Sequence, residues 1–184
     1  MQKVLIFIST IFLFSCQERP KENIYSPPLE EDKIENQFYI NTSLDNLWIK
    51  ILQIDSLDFE IESKNSTTGQ LKKKLYPKNI SDYINCGMMN DEIYVHYIDR
   101  IFESSLEIET SLDIKEEKEE LTSIQLISTY IFRSKETGTT WVFETNEPKL
   151  ILVGNPAFGA EPYRKCASKH FLESSIIKEI TKLE

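Results

Sequence analysis

The chain has 184 residues and carries 30 acidic against 21 basic side chains, which gives a net charge of −9. An acidic surface repels nucleic-acid phosphates and anionic lipid headgroups, so the composition argues against both as charge-driven partners. A chain of this length can bury one substantial core, and we therefore expect a single folded domain.

The first sixteen residues have the parts of a secretory signal. Met1–Lys3 is a short basic start, Val4–Phe14 is almost wholly apolar, and Ser15 is a small residue at the expected cleavage position. Eleven helical residues extend only about 16 Å, which is too short for a hydrocarbon core of roughly 30 Å. A membrane-spanning anchor is therefore not expected. A signal cut to release a soluble protein and a buried core helix are the alternatives.

The sequence Leu13-Phe14-Ser15-Cys16 resembles the lipobox of bacterial lipoproteins. In that family a diacylglycerol is attached to the cysteine sulfur, the chain is cut before the cysteine, and the new amino terminus is acylated. The resemblance implies that residues 1–15 are a signal peptide and that Cys16 is lipidated, which would hold the protein stably on a membrane. Gln17 follows the cysteine where inner-membrane lipoproteins tend to have Asp, and this favours the outer membrane.

Residues 16–35 are predicted to comprise the lipidated cysteine and a flexible tether. The segment contains Pro20, Pro27 and Pro28 but few large apolar residues, so it cannot bury enough surface to fold alone. Residues 36–184 would then form the single domain, lifted off the bilayer by the tether.

The first part of the domain predicts a strand, a helix and a hairpin. Residues 38–42 alternate between apolar and polar, and a helix capped by Thr42 or Ser43 follows. The apolar stripe of that helix has the spacing i, i+3, i+4 and comprises Leu44, Leu47, Trp48, Ile51 and Leu52. Residues 57–62 alternate as a half-buried strand, and residues 68–76 return beside it. Lysines 72–74 interrupt the return strand, which favours a sheet edge; a basic ligand-binding patch is the alternative.

Alternation in the second part predicts an antiparallel meander. The alternating segments are residues 93–98, 106–114, 124–132 and 139–145. Residues 77–91 and 147–164 are predicted to be irregular, apart from one short strand at 149–153. The chain then ends in a helix capped by Ser168, with an apolar stripe that begins at Leu172 and with Glu173 on the solvent side.

Strands grouped between two helices predict an α+β domain: an antiparallel sheet of five or six strands with two helices packed on one face. The helix with Leu47-Trp48, the strand with Phe59 and the strand with Gly69 follow one another as they do in helix-grip domains, which this order resembles. Among lipoproteins, the region Phe38–Tyr76 is similar to the BamC type, whose members carry two such domains. That resemblance implies an accessory role in the machine that assembles outer-membrane β-barrels.

Cys86 and Cys166 are the two cysteines that remain after Cys16. An even number in an oxidising compartment favours a disulfide, which would tie segment 77–91 to the start of the last helix. One alternative is a zinc site in which His96 and His170 complete a Cys2His2 set, with Cys166 and His170 on one helix face. The other is a thiol nucleophile with a histidine base.

No familiar catalytic or phosphate-binding motif occurs in the sequence. It has no Gly-x-Ser-x-Gly, no His-Glu-x-x-His and no glycine-rich phosphate loop. The run Glu116–Glu120 is typical of a hairpin tip rather than a calcium loop. We therefore expect no catalytic residue, no metal ligand and no cofactor.

The leading interpretation is a lipid-anchored protein of the bacterial envelope, at the outer membrane, that acts as a non-catalytic interaction or assembly module. We expect a membrane contact through the anchor, an envelope protein partner and no nucleic acid. The alternative is a periplasmic carrier of a small apolar ligand held between sheet and helix, and an enzyme comes third. Five aromatic residues are available for a binding face, although most should be core: Trp48, Tyr94, Tyr97, Tyr130 and Trp141.

Three structural features distinguish these functions. A binding module should expose an apolar patch. A carrier should enclose a pocket of about 300–1,000 Å³, and an enzyme should bring polar groups with shifted pKa values together in a cleft.

Overall fold

The structure is a computed structural model of the chain. It describes residues 23–29, 32–53, 60–100, 103–134, 138–152 and 163–182. The predicted signal peptide and Cys16 lie outside the described residues, as do residues 57–59 of the strand predicted at 57–62.

The described residues form twelve strands and three helices. The strands are β1 (Tyr25–Ser26), β2 (Gln37–Ile40), β3 (Glu60–Asn65), β4 (Gln70–Leu75), β5 (Ile84–Asn85), β6 (Met88–Met89), β7 (Glu92–Ile93), β8 (Ser104–Lys118), β9 (Leu121–Ser134), β10 (Thr139–Glu144), β11 (Lys149–Leu152) and β12 (Tyr163–Ser168). The helices are α1 (Leu44–Leu52), α2 (Tyr94–Asp99) and α3 (Phe171–Thr181), with a single 3-10 turn at Ile80–Asp82.

Six strands form the central antiparallel sheet, in the order β10-β9-β8-β4-β3, with β2 also paired to β9. β2 and β10 share one edge of the long β9, because β2 pairs with residues 122–125 and β10 with residues 129–134. Two smaller sheets have the orders β1-β6-β7 and β11-β12-β5.

The β8–β9 hairpin forms the centre of the sheet and matches the predicted long hairpin. Alternate residues of both strands are buried, from Leu106 to Ile114 and from Thr122 to Ser134, because successive side chains of a strand face opposite sides. The two strands turn at Glu119-Glu120, where Glu120 has a positive φ of 61°. This hairpin gives the domain one buried and one largely solvent-facing sheet surface.

Helices and aromatic rings cover the buried surface. Leu47 and Ile51 of α1 and Leu172, Ile176 and Ile180 of α3 belong to one apolar core with the sheet residues. Beside them, the Trp141 ring stacks on Tyr94 at 6.2 Å between centroids and meets Phe132 edge-on at 5.4 Å. Large, fully buried side chains therefore fill this part of the core.

The predicted fold class is correct at its coarse level and wrong in detail. The domain mixes helices with mostly antiparallel strands, but it has three sheets and three helices within the described residues rather than one sheet and two helices. The small sheets combine the two-residue strands β1, β5, β6 and β7 with the longer β11 and β12. β11 lies at the short strand predicted for residues 149–153, whereas β5 and β6 lie in the segment 77–91 that is predicted to be irregular. Strands of two residues carry no alternation that a sequence pattern could reveal.

Residues 93–98 were predicted to be a strand, and most of them form α2 instead. Tyr94, Val95 and Ile98 are the buried residues of this helix, a spacing of i, i+1 and i+4. A six-residue segment is too short for alternation to be distinguished from helical spacing, and its aromatic and β-branched residues favour strands.

The lysine-rich strand β4 was predicted to lie at a sheet edge, but it lies between β3 and β8. Lys73 is nearly buried opposite Thr110. On the other face, the Lys74 Nζ lies 3.2 Å from Glu107 and 2.8 Å from Glu109. Carboxylates on the neighbouring strand make an interior position tolerable for Lys74.

The end of the chain also differs from its prediction. Cys166 lies in β12 rather than at the start of a helix, and α3 begins at Phe171 with His170, not Ser168, at its N-cap. The Ser168 hydroxyl instead accepts a hydrogen bond from the His170 N–H at 2.9 Å. Cys166 and His170 therefore do not share a helix face.

Part of the segment predicted to be a tether is docked on the domain. Tyr25–Ser26 pair with β6, and the Tyr25 hydroxyl donates to the Cys86 carbonyl at 3.0 Å and accepts from the Lys165 N–H at 2.9 Å. The Arg164 guanidinium lies 4.3 Å from the centre of the Tyr25 ring. These contacts join the amino-terminal segment to β12.

Among the residues that the structure describes, no helix combines the length and the apolar character needed to span a bilayer.

Candidate functional site

Cys86 and Cys166 form a disulfide, as predicted from their number. The bond links the residue after β5 to β12, beside the pairing of Ile84 with Ser168, and both cysteines are fully buried. Cysteines joined in this way present no thiolate, so neither the zinc site nor the thiol nucleophile has its sulfur groups.

The two histidines lie in different settings. His96 is exposed on α2, and its Nε2 lies 2.9 Å from the Ser81 hydroxyl. His170 is nearly buried at the N-cap of α3. In the described part of the chain, no group of three or more His, Cys, Asp or Glu side chains could hold a metal ion.

One candidate surface is an apolar patch on the β1-β6-β7 sheet, which we name the hairpin face (Ile24, Met88 and Ile93). These side chains are 70%, 41% and 43% exposed. Met88 pairs with Ile93 across β6 and β7, and the Ile24 carbonyl accepts a hydrogen bond from the Asn90 N–H at 2.9 Å. Met88 and Ile93 therefore lie in the small sheet, and Ile24, immediately before β1, is hydrogen-bonded to its turn.

A tight turn connects the two strands of the hairpin face. Asn90 and Asp91 join β6 to β7 and have positive φ angles of 52° and 65°, as the favoured two-residue hairpin turn requires. The Asn90 side chain also accepts from the Ile24 N–H and donates to Asn23. Asp91 in the turn is exposed, whereas the charge of Glu92 is paired with that of Arg100.

A second candidate site begins inside the core with four polar residues, which we name the Glu173 cluster (Tyr130, Thr145, Ser168 and Glu173). Glu173 is fully buried. Its carboxylate accepts from the Tyr130 hydroxyl at 2.8 Å and lies 3.0 Å from the Thr145 hydroxyl. The Ser168 hydroxyl donates to Tyr130 at 2.8 Å. Every member thus has a hydrogen-bond partner from a different element of the fold.

The environment of Tyr130 disfavours loss of its proton. Burial raises the pKa of the Tyr130 hydroxyl far above its ordinary value, and the adjacent Glu173 carboxylate raises it further, while the bond from Ser168 lowers it in part. Tyr130 therefore stays protonated and donates its hydrogen bond to Glu173, while it accepts one from Ser168.

Two members of the Glu173 cluster, Thr145 and Ser168, line a surface cavity of about 170 Å³, which we name the α3 cleft. Thr145, Ser168 and His170 belong to its wall, and Lys33 and Lys165 contribute cationic side chains. Its remaining lining residues are Leu29, Asn146, Pro148 and Ala167. Asn146 fixes one wall by bonding both the N–H and the carbonyl of Ile34, at 3.1 and 3.0 Å.

The aromatic residues proposed for a binding face belong mainly to the core. Tyr94, Tyr130 and Trp141 are buried, and Trp48 and Tyr97 are partly buried against the core. None of the five lines the hairpin face as defined here.

Sequence reasoning placed Glu173 on the solvent side of the last helix, and this was wrong. At about 100° per residue, Glu173 falls between Ile180 and Ile177 on the helical wheel, inside the apolar stripe that starts at Leu172. This angular position could have indicated that Glu173 is buried. Only its partners Tyr130 and Thr145 explain why a carboxylate is tolerated there.

Comparisons with protein-family models, with curated proteins and with solved structures found no match for this chain.

Proposed function

We propose that this protein is a lipid-anchored, non-catalytic interaction module of the bacterial envelope, held at the outer membrane through acylated Cys16. Its partner is an envelope protein that docks on the hairpin face. The observation that carries this proposal is the exposure of Ile24, Met88 and Ile93 at one small hydrogen-bonded sheet. Exposed apolar groups with a polar rim are typical of protein–protein contact sites.

The position of the hairpin face relative to the proposed anchor supports a partner near the membrane. Only residues 17–22 separate Cys16 from Asn23, and an extended chain of that length reaches at most roughly 25 Å. Because β1 is docked on the domain, the hairpin face would stay within that reach of the bilayer. The exposed Asp91 beside these apolar side chains fits a partner that places a basic group next to its apolar contact surface.

The packing of the core favours an interaction module over a carrier. Leu47, Ile51, Leu112, Leu172 and Ile180 are each at most 4% exposed, where α1 and α3 pack with the sheet. In the part of the chain that the structure describes, apolar side chains therefore fill this region. The helix-grip arrangement and a BamC-like role in barrel assembly belong to this proposal, and the contacts of α1 with β8 and of α3 with β9 are compatible with them.

Site-specific photocrosslinking in intact envelopes tests the docking surface. We expect a photoreactive residue at Met88 or at Ile93 to capture one and the same envelope protein. The same group at Leu150, which is 60% exposed on β11, should not capture it. Adding Ile24→Glu should abolish the capture from Ile93, since it places a charge in the apolar contact.

Equal capture from Leu150, or capture that survives Ile24→Glu, would contradict the hairpin face as the interface. The anchor is tested separately by the mass of the amino-terminal peptide of the mature protein. That mass should correspond to a chain that begins at Cys16 and carries acyl groups.

A further inference from the structure

Two cavities share a lining residue at the N-cap of α3. The α3 cleft has a volume of about 170 Å³, and a wider groove has a volume of about 620 Å³. His170 lines both cavities. A ligand in this region would therefore contact the N-cap residue of the helix whichever cavity it entered.

Lysines concentrate around these cavities although the chain as a whole is acidic. The lining lysines are Lys33 and Lys165 in the cleft and Lys169 and Lys178 in the groove. Among the described residues that line the two cavities, Asp82 is the one acidic side chain. The local field thus favours an anion, in contrast to the net charge of the molecule.

The amino terminus of α3 adds to this field. The first N–H groups of a helix have no partner within the helix, and the helix dipole makes this end positive. Glu173 lies in the first turn, but its carboxylate is buried and is bound by the Tyr130 and Thr145 hydroxyls. It therefore stands behind the cleft wall rather than in the cavity.

His170 supplies an independent indication of a ligand. The side chain is 9% exposed, and its buried Nδ1 has no hydrogen-bond partner among the described residues. Buried polar atoms are almost always satisfied by protein or by an ordered ligand or water. His170 also has a φ of 55°, an uncommon backbone conformation for a residue with a side chain.

We propose that the lysine-lined region at the start of α3 binds a phosphate group, with Lys33, Lys165 and His170 as its nearest contacts. The Thr145 and Ser168 hydroxyls already bond within the protein, so the cationic side chains provide the recognition. Lysine binds phosphate as a point charge, and several lysines can share one phosphate group. The proposal does not depend on the anchor or on the hairpin face.

Nuclear magnetic resonance of the histidine rings gives a direct test, because the chain has two histidines. The full-length protein, as isolated and held in a neutral detergent, is titrated with inorganic phosphate at low ionic strength. We expect a saturable shift of the His170 ring signals. His96, on α2, serves as the internal reference, and its ring signals should not show a saturable shift.

Matched variants separate a bound phosphate from a general charge effect. Lys33→Gln and Lys165→Gln should each weaken phosphate binding about fivefold, the effect of losing one nearby partly screened charge. Lys115→Gln removes an equal charge from the exposed β8–β9 tip and should leave the affinity unchanged. If Lys165→Gln fails to fold, Lys33→Gln still gives the test, since Lys33 lies on a separate segment.

A titration with lipids distinguishes a lipid headgroup from a soluble phosphate compound. The same spectra are recorded with phosphatidylglycerol or with phosphatidylcholine added to the micelles. A His170 shift with phosphatidylglycerol would identify a lipid headgroup, and a shift with inorganic phosphate alone would identify a soluble phosphate compound. Absence of a saturable shift in both arms, or equal weakening by Lys115→Gln, would overturn the proposal.

Discussion

At the scale of single residues, the contact between Tyr130 and Glu173 connects the central sheet to the last helix. Both side chains are fully buried, and the phenol oxygen lies 2.8 Å from each carboxylate oxygen. A buried carboxylate is costly unless donors surround it. The hydroxyls of Tyr130 and Thr145 supply those donors here, and Ser168 in turn donates to Tyr130.

Tyr130→Phe should therefore lower the free energy of unfolding by about 1–3 kcal/mol, because it leaves buried polar groups without a partner. Urea denaturation followed by circular dichroism measures this change. Tyr39→Phe is the matched control, since Tyr39 is 56% exposed, and its effect should stay within roughly 0.5 kcal/mol. Equal effects of the two variants would contradict the energetic role of the Tyr130 hydroxyl.

Because the pKa of Tyr130 is raised, the difference in stability between the wild type and Tyr130→Phe should depend on pH. In the unfolded chain this hydroxyl loses its proton near its ordinary pKa of about 10, whereas in the folded protein it keeps the proton to higher pH. The stability contributed by Tyr130 is therefore fully present below about pH 10. It falls as the pH rises further, because the unfolded state gains from deprotonation.

The stability gap between the wild type and Tyr130→Phe should consequently narrow as the pH is raised above about 10. Urea midpoints measured at several alkaline pH values would show this. Parallel curves for the two proteins would contradict it.

At the scale of elements, the docking of β1 depends on a close backbone approach at Gly87. Gly87 has a φ of 81°, and a Cβ there would lie 2.2 Å from the Ser26 carbonyl oxygen. Its carbonyl also accepts from the Tyr94 N–H at the start of α2. One glycine thus lets β1, β6 and α2 meet.

Gly87→Ala should release β1 from the domain. Its left-handed backbone costs an alanine about 1–2 kcal/mol, and the clash with Ser26 adds to that cost. Gly138→Ala is the matched control, because Gly138 has a φ of 62° but no atom within 4 Å of an added Cβ. Hydrogen exchange of peptides covering residues 23–29 should accelerate in the first variant alone, and equal rates would contradict the docking.

Sequence patterns predicted long elements better than short ones. The β8–β9 hairpin and the helices near residues 44–52 and 171–181 have enough residues to display their period. Residues 94–99 are too few for this, so their pattern predicts a strand where the structure has the helix α2. β12 escaped prediction because its burial pattern is set by β5 and β11, strands that are distant in sequence.

At the scale of the whole molecule, the disulfide between Cys86 and Cys166 closes a loop whose ends are 80 residues apart. It joins β5 to β12 beside the α3 cleft and near the contact of Tyr25 with Lys165. It therefore connects the segment before the central hairpin to the segment after it.

Cys86→Ser and Cys166→Ser should each lower the free energy of unfolding by a similar amount, at most about 4–5 kcal/mol by the chain-entropy account of such a loop. The double variant should be little worse than either single one, since both lose the same bond. Urea denaturation of the three variants and of reduced wild type makes the comparison. Additive losses, or fully alkylatable thiols in gently isolated wild type, would contradict the pairing.

The sequence by itself determined the features that depend on neighbouring residues or on the number of residues of one type. These are the alternation of the long hairpin, the apolar stripes of the first and last helices, and the even pair of cysteines. The lipobox at Cys16 is equally local, and it remains a prediction because it lies outside the described residues.

Only the tertiary structure decided which polar residues are buried and which cavities result. Glu173 is acceptable inside the apolar stripe because Tyr130, from a strand 43 residues earlier, donates to it. Tyr25 docks because its hydroxyl meets Lys165, 140 residues away. Such contacts depend on how distant segments pack together, and no local period or residue spacing encodes them.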